Sequence, residues 1–215
     1  MRLRSEPVLS LCLWLGVVLF CLWARSRLPD MPIATHFGLD GQPDGYMPRD
    51  VGLAFGPILM LVFGLLLWIL PAVSPKNASL KRSQSAFDAA QLAIIAFLAV
   101  VHIVVVLKAL GVQVDTISIL TLGAGFLFLI IGNLLPKTRF NYFMGVRTPW
   151  TLSDERVWDK THRLAGPLFM LTGLAIVLAA CLLPQPWQMG VLLAAAVGAS
   201  LVSCIYSWIV SKKPR

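Results

Sequence analysis

The stretch 141–166, NYFMGVRTPWTLSDERVWDKTHRLAG, gathers the residues best able to do chemistry. If it is helical, Glu155, Asp159 and His162 fall on successive turns, a spacing that can hold a metal ion. The same residues also fit an amphipathic helix. Ser153 is a good N-cap, and Asp154 and Glu155 suit the positive end of a helix dipole. Arg156, Lys160 and Arg163 recur on one face, while Trp158 and His162 lie four apart on another. Such a helix would lie on a membrane surface, aromatic side towards lipid or a helix bundle and basic side towards headgroups. Ahead of it, Gly145 is free to take a positive φ, and Thr148 before Pro149 favours an extended or turn geometry.

The other two histidines lie elsewhere. His36 sits among Asp30, Asp40 and Asp44, where it either helps to bind a metal or hydrogen-bonds within a turn-rich cap; the carboxylates have no fixed ligand spacing. In that cap, Ile33 to Phe37 reads as a short strand, and Asp40-Gly41 and Asp44-Gly45 as turns. His102 interrupts an apolar run, so it is a functional candidate or a neutral imidazole bonded to a neighbouring helix. Asn133, near the end of another run, caps or cross-links helices. Cys12, Cys21, Cys181 and Cys204 all lie in apolar runs and read as small hydrophobes. No nucleophile elbow, phosphate-binding glycine loop, HExxH or CxxC pair is present, so no motif calls for catalysis or for a cofactor.

The elements that must position these residues follow from composition. The 215 residues are 58% hydrophobic and 13% charged, too apolar for a soluble domain. Six apolar runs occur, at Val8–Ala24, Val51–Val73, Ala89–Leu107, Ile117–Leu135, Leu164–Leu183 and Met189–Val210. Each is about long enough, at 1.5 Å per residue, to cross roughly 30 Å of hydrocarbon. The first lacks a small-x-small cleavage site and reads as an uncleaved helix. Fourteen of the eighteen basic residues, Lys76, Lys81, Arg82 and Arg215 among them, fall on the side that holds both termini and the 141–166 stretch. That bias puts this side in the cytoplasm and the 28–50 loop outside. Trp23 and Trp187 then mark the outer boundary, and Trp68 and Trp208 the inner one.

The expected fold is an all-α integral membrane protein of six transmembrane helices with one structured extracytoplasmic loop and one amphipathic cytoplasmic loop helix. Spans one to three and four to six each form a helix, a long polar loop and a hairpin, the plan of an inverted 3+3 repeat with binding sites between the halves. Four segments result. Residues 1–73 hold the first helix, the outer loop and the second helix. Residues 74–135 hold the next two helices, 136–166 the cytoplasmic loop and 167–215 the C-terminal hairpin.

Several short motifs carry a family likeness. Gly132-Asn133, Leu135-Pro136-Lys137, Asn141-Tyr142-Phe143, the run Gly145 to Leu152, and Val157-Trp158-x-Lys160-Thr161-His162-Arg163 together resemble the signature of the SdpI family, bacterial polytopic membrane proteins named for an immunity protein against a secreted toxin. Leu28-Pro29-Asp30, Ile33-Ala34-Thr35-His36-Phe37, Gly41 and Pro43-Asp44-Gly45-Tyr46 resemble a domain of unknown function often fused ahead of it. The resemblance implies a bacterial inner-membrane protein, not an enzyme, that gives immunity to a secreted antimicrobial peptide or toxin. Its implied partners are the lipid bilayer, a toxic peptide outside and a soluble transcriptional regulator tethered inside, with no direct contact to nucleic acid. The implied inner binding residues are Asn141, Gly145, Arg147, Thr148, Pro149, Trp150, Trp158, His162 and Arg163. The outer ones are Pro29, His36, Phe37, Gly41 and Asp44. A small transporter working between the halves through His102, and a lipid-acting enzyme using Glu155, Asp159 and His162, are the competing readings.

Overall fold

The computed structural model describes residues 5–38, 41–70 and 82–213. Asp40, Lys76, Lys81, Arg215 and the end of the second apolar run lie outside the described residues. Helices α1 (Ser5–Arg25), α2 (Arg49–Ile69), α3 (Gln84–Ala109), α4 (Thr116–Leu134), α6 (Glu155–Leu182) and α7 (Gln185–Ser211) correspond one for one to the six apolar runs. All six are long and apolar enough to cross a membrane. Large aliphatic side chains such as Leu19, Leu171 and Leu201 point outwards, as lipid-facing residues must. Among the described residues there are also a short helix, α5 (Pro149–Ser153), and a two-stranded hairpin of β1 (Ile33–Phe37) and β2 (Pro43–Met47).

Packing divides the helices three and three. Helices α1, α2 and α3 contact one another, as do α4, α6 and α7, and α3 against α4 joins the two sets. The halves differ in how evenly they pack. In the first half α1, α2 and α3 pack on one another without a dominant member, whereas in the second α6, the fifth span, lies against both α4 and α7 far more than those two touch each other. Glycine explains the tight fit of α6 on α4. Gly125 and Gly132 on α4 and Gly166 and Gly173 on α6 are each seven residues apart, and the helices run antiparallel. Gly125 meets Gly173 and Gly132 meets Gly166, so closely that a Cβ on Gly173 would stand 2.6 Å from the Leu129 nitrogen and 2.7 Å from the Gly125 carbonyl oxygen. Bare backbones at this distance gain dispersion contacts that any side chain would prevent.

The two long connections lie at opposite ends of the bundle. At one end the antiparallel hairpin pairs Ile33 with Met47 and His36 with Gly45, and register shifts flank His36. Its Ile33 packs on Gly52 of α2, and Lys108 of α3 donates to the Gly41 carbonyl at 3.3 Å. The strand expected at Ile33–Phe37 is present. Asp44-Gly45 is a correction: it lies within β2, not at a turn. Gly45 faces His36 across the ladder, where the His36 Cβ would be 2.8 Å from any added Cβ. At the other end, residues 138–154 fold over the start of α6.

Candidate functional site

The loop end is built by a chain of small local decisions. Leu135–Lys137 closes α4 as a 3-10 turn, and the ring of Pro136 sits over Gly166, where no side chain intervenes. Thr148 then caps α5. Its hydroxyl accepts from the Thr151 nitrogen while the Thr151 side chain accepts from the Thr148 nitrogen, a reciprocal capping box, with Pro149 at the first turn where no N–H is needed. Helix α5 ends at Ser153, and Asp154 caps α6 by accepting from the Arg156 nitrogen at 2.7 Å. Asp154 therefore takes the role expected of Ser153. The amphipathic segment is also not a separate surface helix. It is the first part of α6, whose 28 residues continue to Leu182. At 1.5 Å per residue α6 is about 42 Å long against about 30 Å of hydrocarbon, so its first turns project beyond the apolar slab.

Asn141 is the hub of the loop. Its side-chain oxygen accepts from the nitrogens of Phe143 and Met144 at 2.8 and 2.7 Å, and its amide donates to the carbonyls of Arg139 and Met144 at 2.8 and 3.2 Å. It has no exposed surface. His162 is locked in the same way. Its Nε2 accepts from the Val146 nitrogen at 3.0 Å and its Nδ1 lies 2.8 Å from the Trp158 carbonyl oxygen, an arrangement that requires the neutral Nδ1–H tautomer. Trp158 stacks on it with ring centroids 4.0 Å apart and donates from Nε1 to the Thr138 carbonyl at 3.1 Å. Gly145, at φ +123°, is the residue type that fits here, because a Cβ would collide with the His162 ring.

These contacts count against the metal alternative at Glu155, Asp159 and His162. Both nitrogens of His162 face backbone groups beneath the loop, while Glu155 and Asp159 are exposed. Among the described residues no three His, Cys, Asp or Glu side chains cluster as metal ligands would. They also correct the surface-helix reading, since Trp158 and His162 face the loop and not lipid.

Of the nine inner residues, Asn141, Thr148, Trp158 and His162 are buried, Gly145 and Trp150 are half-buried, and Arg147, Pro149 and Arg163 are exposed. The Arg147 guanidinium donates from Nη1 to the Tyr142 carbonyl at 2.6 Å, which leaves most of its N–H groups directed elsewhere. Three supporting residues were not singled out from sequence. Thr151 has no exposed surface and bonds the Val146 carbonyl at 2.8 Å, Ser207 of α7 meets the Thr148 hydroxyl at 2.9 Å, and Ser83 accepts from the Arg139 nitrogen at 2.7 Å. The Thr-x-x-Thr spacing signals the first; the other two depend on tertiary contact. Beneath the loop lies a cavity of about 410 Å³ between the two halves, with Gly145, Val146 and Arg147 in its roof.

At the hairpin end, Pro29, His36 and Asp44 are exposed and Phe37 and Gly41 half-buried. His36 pairs with Asp44 through Nδ1, Phe37 lies under the Lys108 ammonium at 4.4 Å, and Gly41 turns the chain at φ +72°. Below the hairpin, His102 ties three helices together. Its Nε2 is 3.1 Å from the Leu53 carbonyl oxygen of α2 and 3.3 Å from the Cys21 sulfur of α1, and its ring fills the space left by Gly56. All four cysteines are free thiols. Asn133 does not cross-link helices. It is exposed and accepts from Lys137 one turn on, at 3.1 Å.

With this geometry in hand, the likenesses to known proteins fall on recognisable parts. Residues 137–207 match the SdpI/YfhL protein family, and residues 12–61 match a domain of unknown function (DUF1648). The Immunity protein SdpI of Bacillus subtilis (strain 168) is 27% identical over 135 residues, an alignment covering 63% of this chain and 63% of that protein. The match thus spans under two thirds of that relative's length. No solved structure matches. The SdpI/YfhL match thus falls on the signature loop and the helices after it, and the DUF1648 match on most of α1, the hairpin and the first part of α2.

Proposed function

We propose that this chain is a bacterial inner-membrane protein of the immunity type, which protects its cell against a secreted antimicrobial peptide or toxin. The observation that carries the reading is the 27% identity over 135 residues to an immunity protein. The excess of Lys and Arg at the loop end favours a cytoplasmic position for that end and for both termini. The hairpin would then face outwards, and its exposed His36, Asp44 and Tyr46 are the groups a secreted peptide would meet first. At the inner end, Arg147, Trp150 and Arg163 form the surface on which a soluble regulator would be tethered. The four segments 1–73, 74–135, 136–166 and 167–215 act in this reading as outer recognition unit, bundle centre, inner platform and closing hairpin.

Deletion should sensitise cells to secreted antimicrobial peptides, and overexpression should protect them. Unchanged survival in both strains, against a panel of such peptides, would contradict the reading. The topology has its own test. Ser153→Cys, in a background without other cysteines, should react with an impermeant maleimide only after permeabilisation; labelling from outside would reverse the orientation. A small transporter is the second reading, favoured by the cavity between the halves. Uptake or efflux by proteoliposomes that does not depend on any toxin would support it over immunity.

A further inference from the structure

We propose that the cavity under the signature loop binds an anionic phospholipid, with an acyl chain between the two halves and the phosphate on Arg147. The proposal goes beyond the reading of Arg147 as part of an inner platform by naming a ligand for it. At about 410 Å³ the cavity falls within the roughly 300–1,000 Å³ of small-ligand sites. Leu67 of α2, Phe87 and Ile94 of α3, Ile131 of α4 and Phe169 of α6 supply apolar walls. The α7 wall presents Ser200 and Ser203, but each hydroxyl donates to a carbonyl of its own helix, at 2.8 and 2.7 Å. The wall therefore offers an occupant hydrocarbon more than hydrogen bonds.

Position and charge choose the occupant. Leu67 adjoins Trp68 and Cys204 lies one turn before Trp208, two exposed tryptophans that mark a membrane interface, so the cavity sits just inside the headgroup level. Arg147 stands in its roof, exposed, and among the described residues no carboxylate pairs with it. A guanidinium there matches a phosphate with two parallel hydrogen bonds. Lys137, Arg139 and Lys160, all exposed at the same end of the bundle, favour a net negative headgroup over a zwitterionic one. A peptide is a poorer match. A helix about 10 Å across would place only about one turn in this volume, whereas an acyl chain is thin enough to lie along it.

The test is native mass spectrometry of the full chain in mild detergent, incubated with equal amounts of phosphatidylglycerol and phosphatidylcholine of identical chains. Wild type should retain one phosphatidylglycerol about fivefold or more over phosphatidylcholine, the scale of one basic residue's attraction to a net negative headgroup. Arg147→Ala should cut retention of both lipids about tenfold, the scale of a charge-assisted hydrogen bond to the phosphate that they share. Ser200→Phe, which fills the cavity from an exposed wall position and leaves the charge in place, should cut retention about tenfold, the equivalent of keeping about two acyl CH₂ groups from burial. Should that variant lack a cooperative melt by circular dichroism, Cys204→Leu narrows the same wall. Equal retention of the two lipids by wild type, full retention with the cavity filled, or displacement by millimolar inorganic phosphate would each overturn the proposal. Toxin survival does not enter this measurement, so lipid binding and immunity stand or fall separately.

Discussion

The two long connections are built on opposite plans. The hairpin at one end holds itself with a backbone ladder and leaves its motif side chains outside: the His36 and Asp44 side chains are 75% and 53% exposed. The signature loop at the other end has no ladder. It turns Asn141, Thr148, Trp158 and His162 inwards and uses them to satisfy backbone groups that a loop would otherwise leave unpaired. A family signature can therefore mean two things. In the hairpin its polar residues are available to a partner, whereas in the loop most of them are internal and only a few, Arg147 first, are aimed outwards.

Substitutions should separate the two plans, and the largest effect falls on the loop. Trp158→Ala removes the shelf under Phe140, His162 and Thr138, and thermal unfolding in detergent should show a loss of about 3–5 kcal/mol, as for other buried tryptophans. A loss below about 1 kcal/mol would break the comparison, because the loop would then not depend on its buried signature. Asn141→Ala comes next. It leaves the nitrogens of Phe143 and Met144 without their acceptor, and should cost about 1–3 kcal/mol for each group that water cannot reach. His36→Ala should be far milder, about 0–1 kcal/mol, since its partner Asp44 is solvated. Any loss of toxin protection in that variant would then report recognition and not folding.

Parts of this plan are legible in the sequence. Apolar run lengths locate all six long helices, because bilayer thickness constrains length directly. The cap of α6 falls one residue beyond the expected Ser153 because Pro149 opens a separate short helix that ends there. The inward aim of Trp158 and His162 is not readable from helical period. Periodicity identifies a face but not its neighbour, and here the neighbour is a loop folded back from 16 residues upstream, at Val146. The glycine pairs show the same limit. Their spacing of seven is visible on each helix, yet only the antiparallel pairing of α4 with α6 shows that Gly125 meets Gly173. A related limit applies to His36 and Asp44, whose partnership depends on a strand register with shifts.

The smallest expected change in stability accompanies the most informative change in function. Arg147→Lys keeps the charge and alters an exposed position, so its unfolding should stay within about 0.5 kcal/mol of wild type. An ammonium cannot reproduce the planar, two-bond contact of a guanidinium with a phosphate or carboxylate. The decisive measurement is toxin survival of cells carrying Arg147→Lys at wild-type membrane levels, with unfolding followed in parallel. The loop as a rigid platform aiming this one side chain predicts lost protection with stability unchanged; full protection at the same membrane level would contradict it.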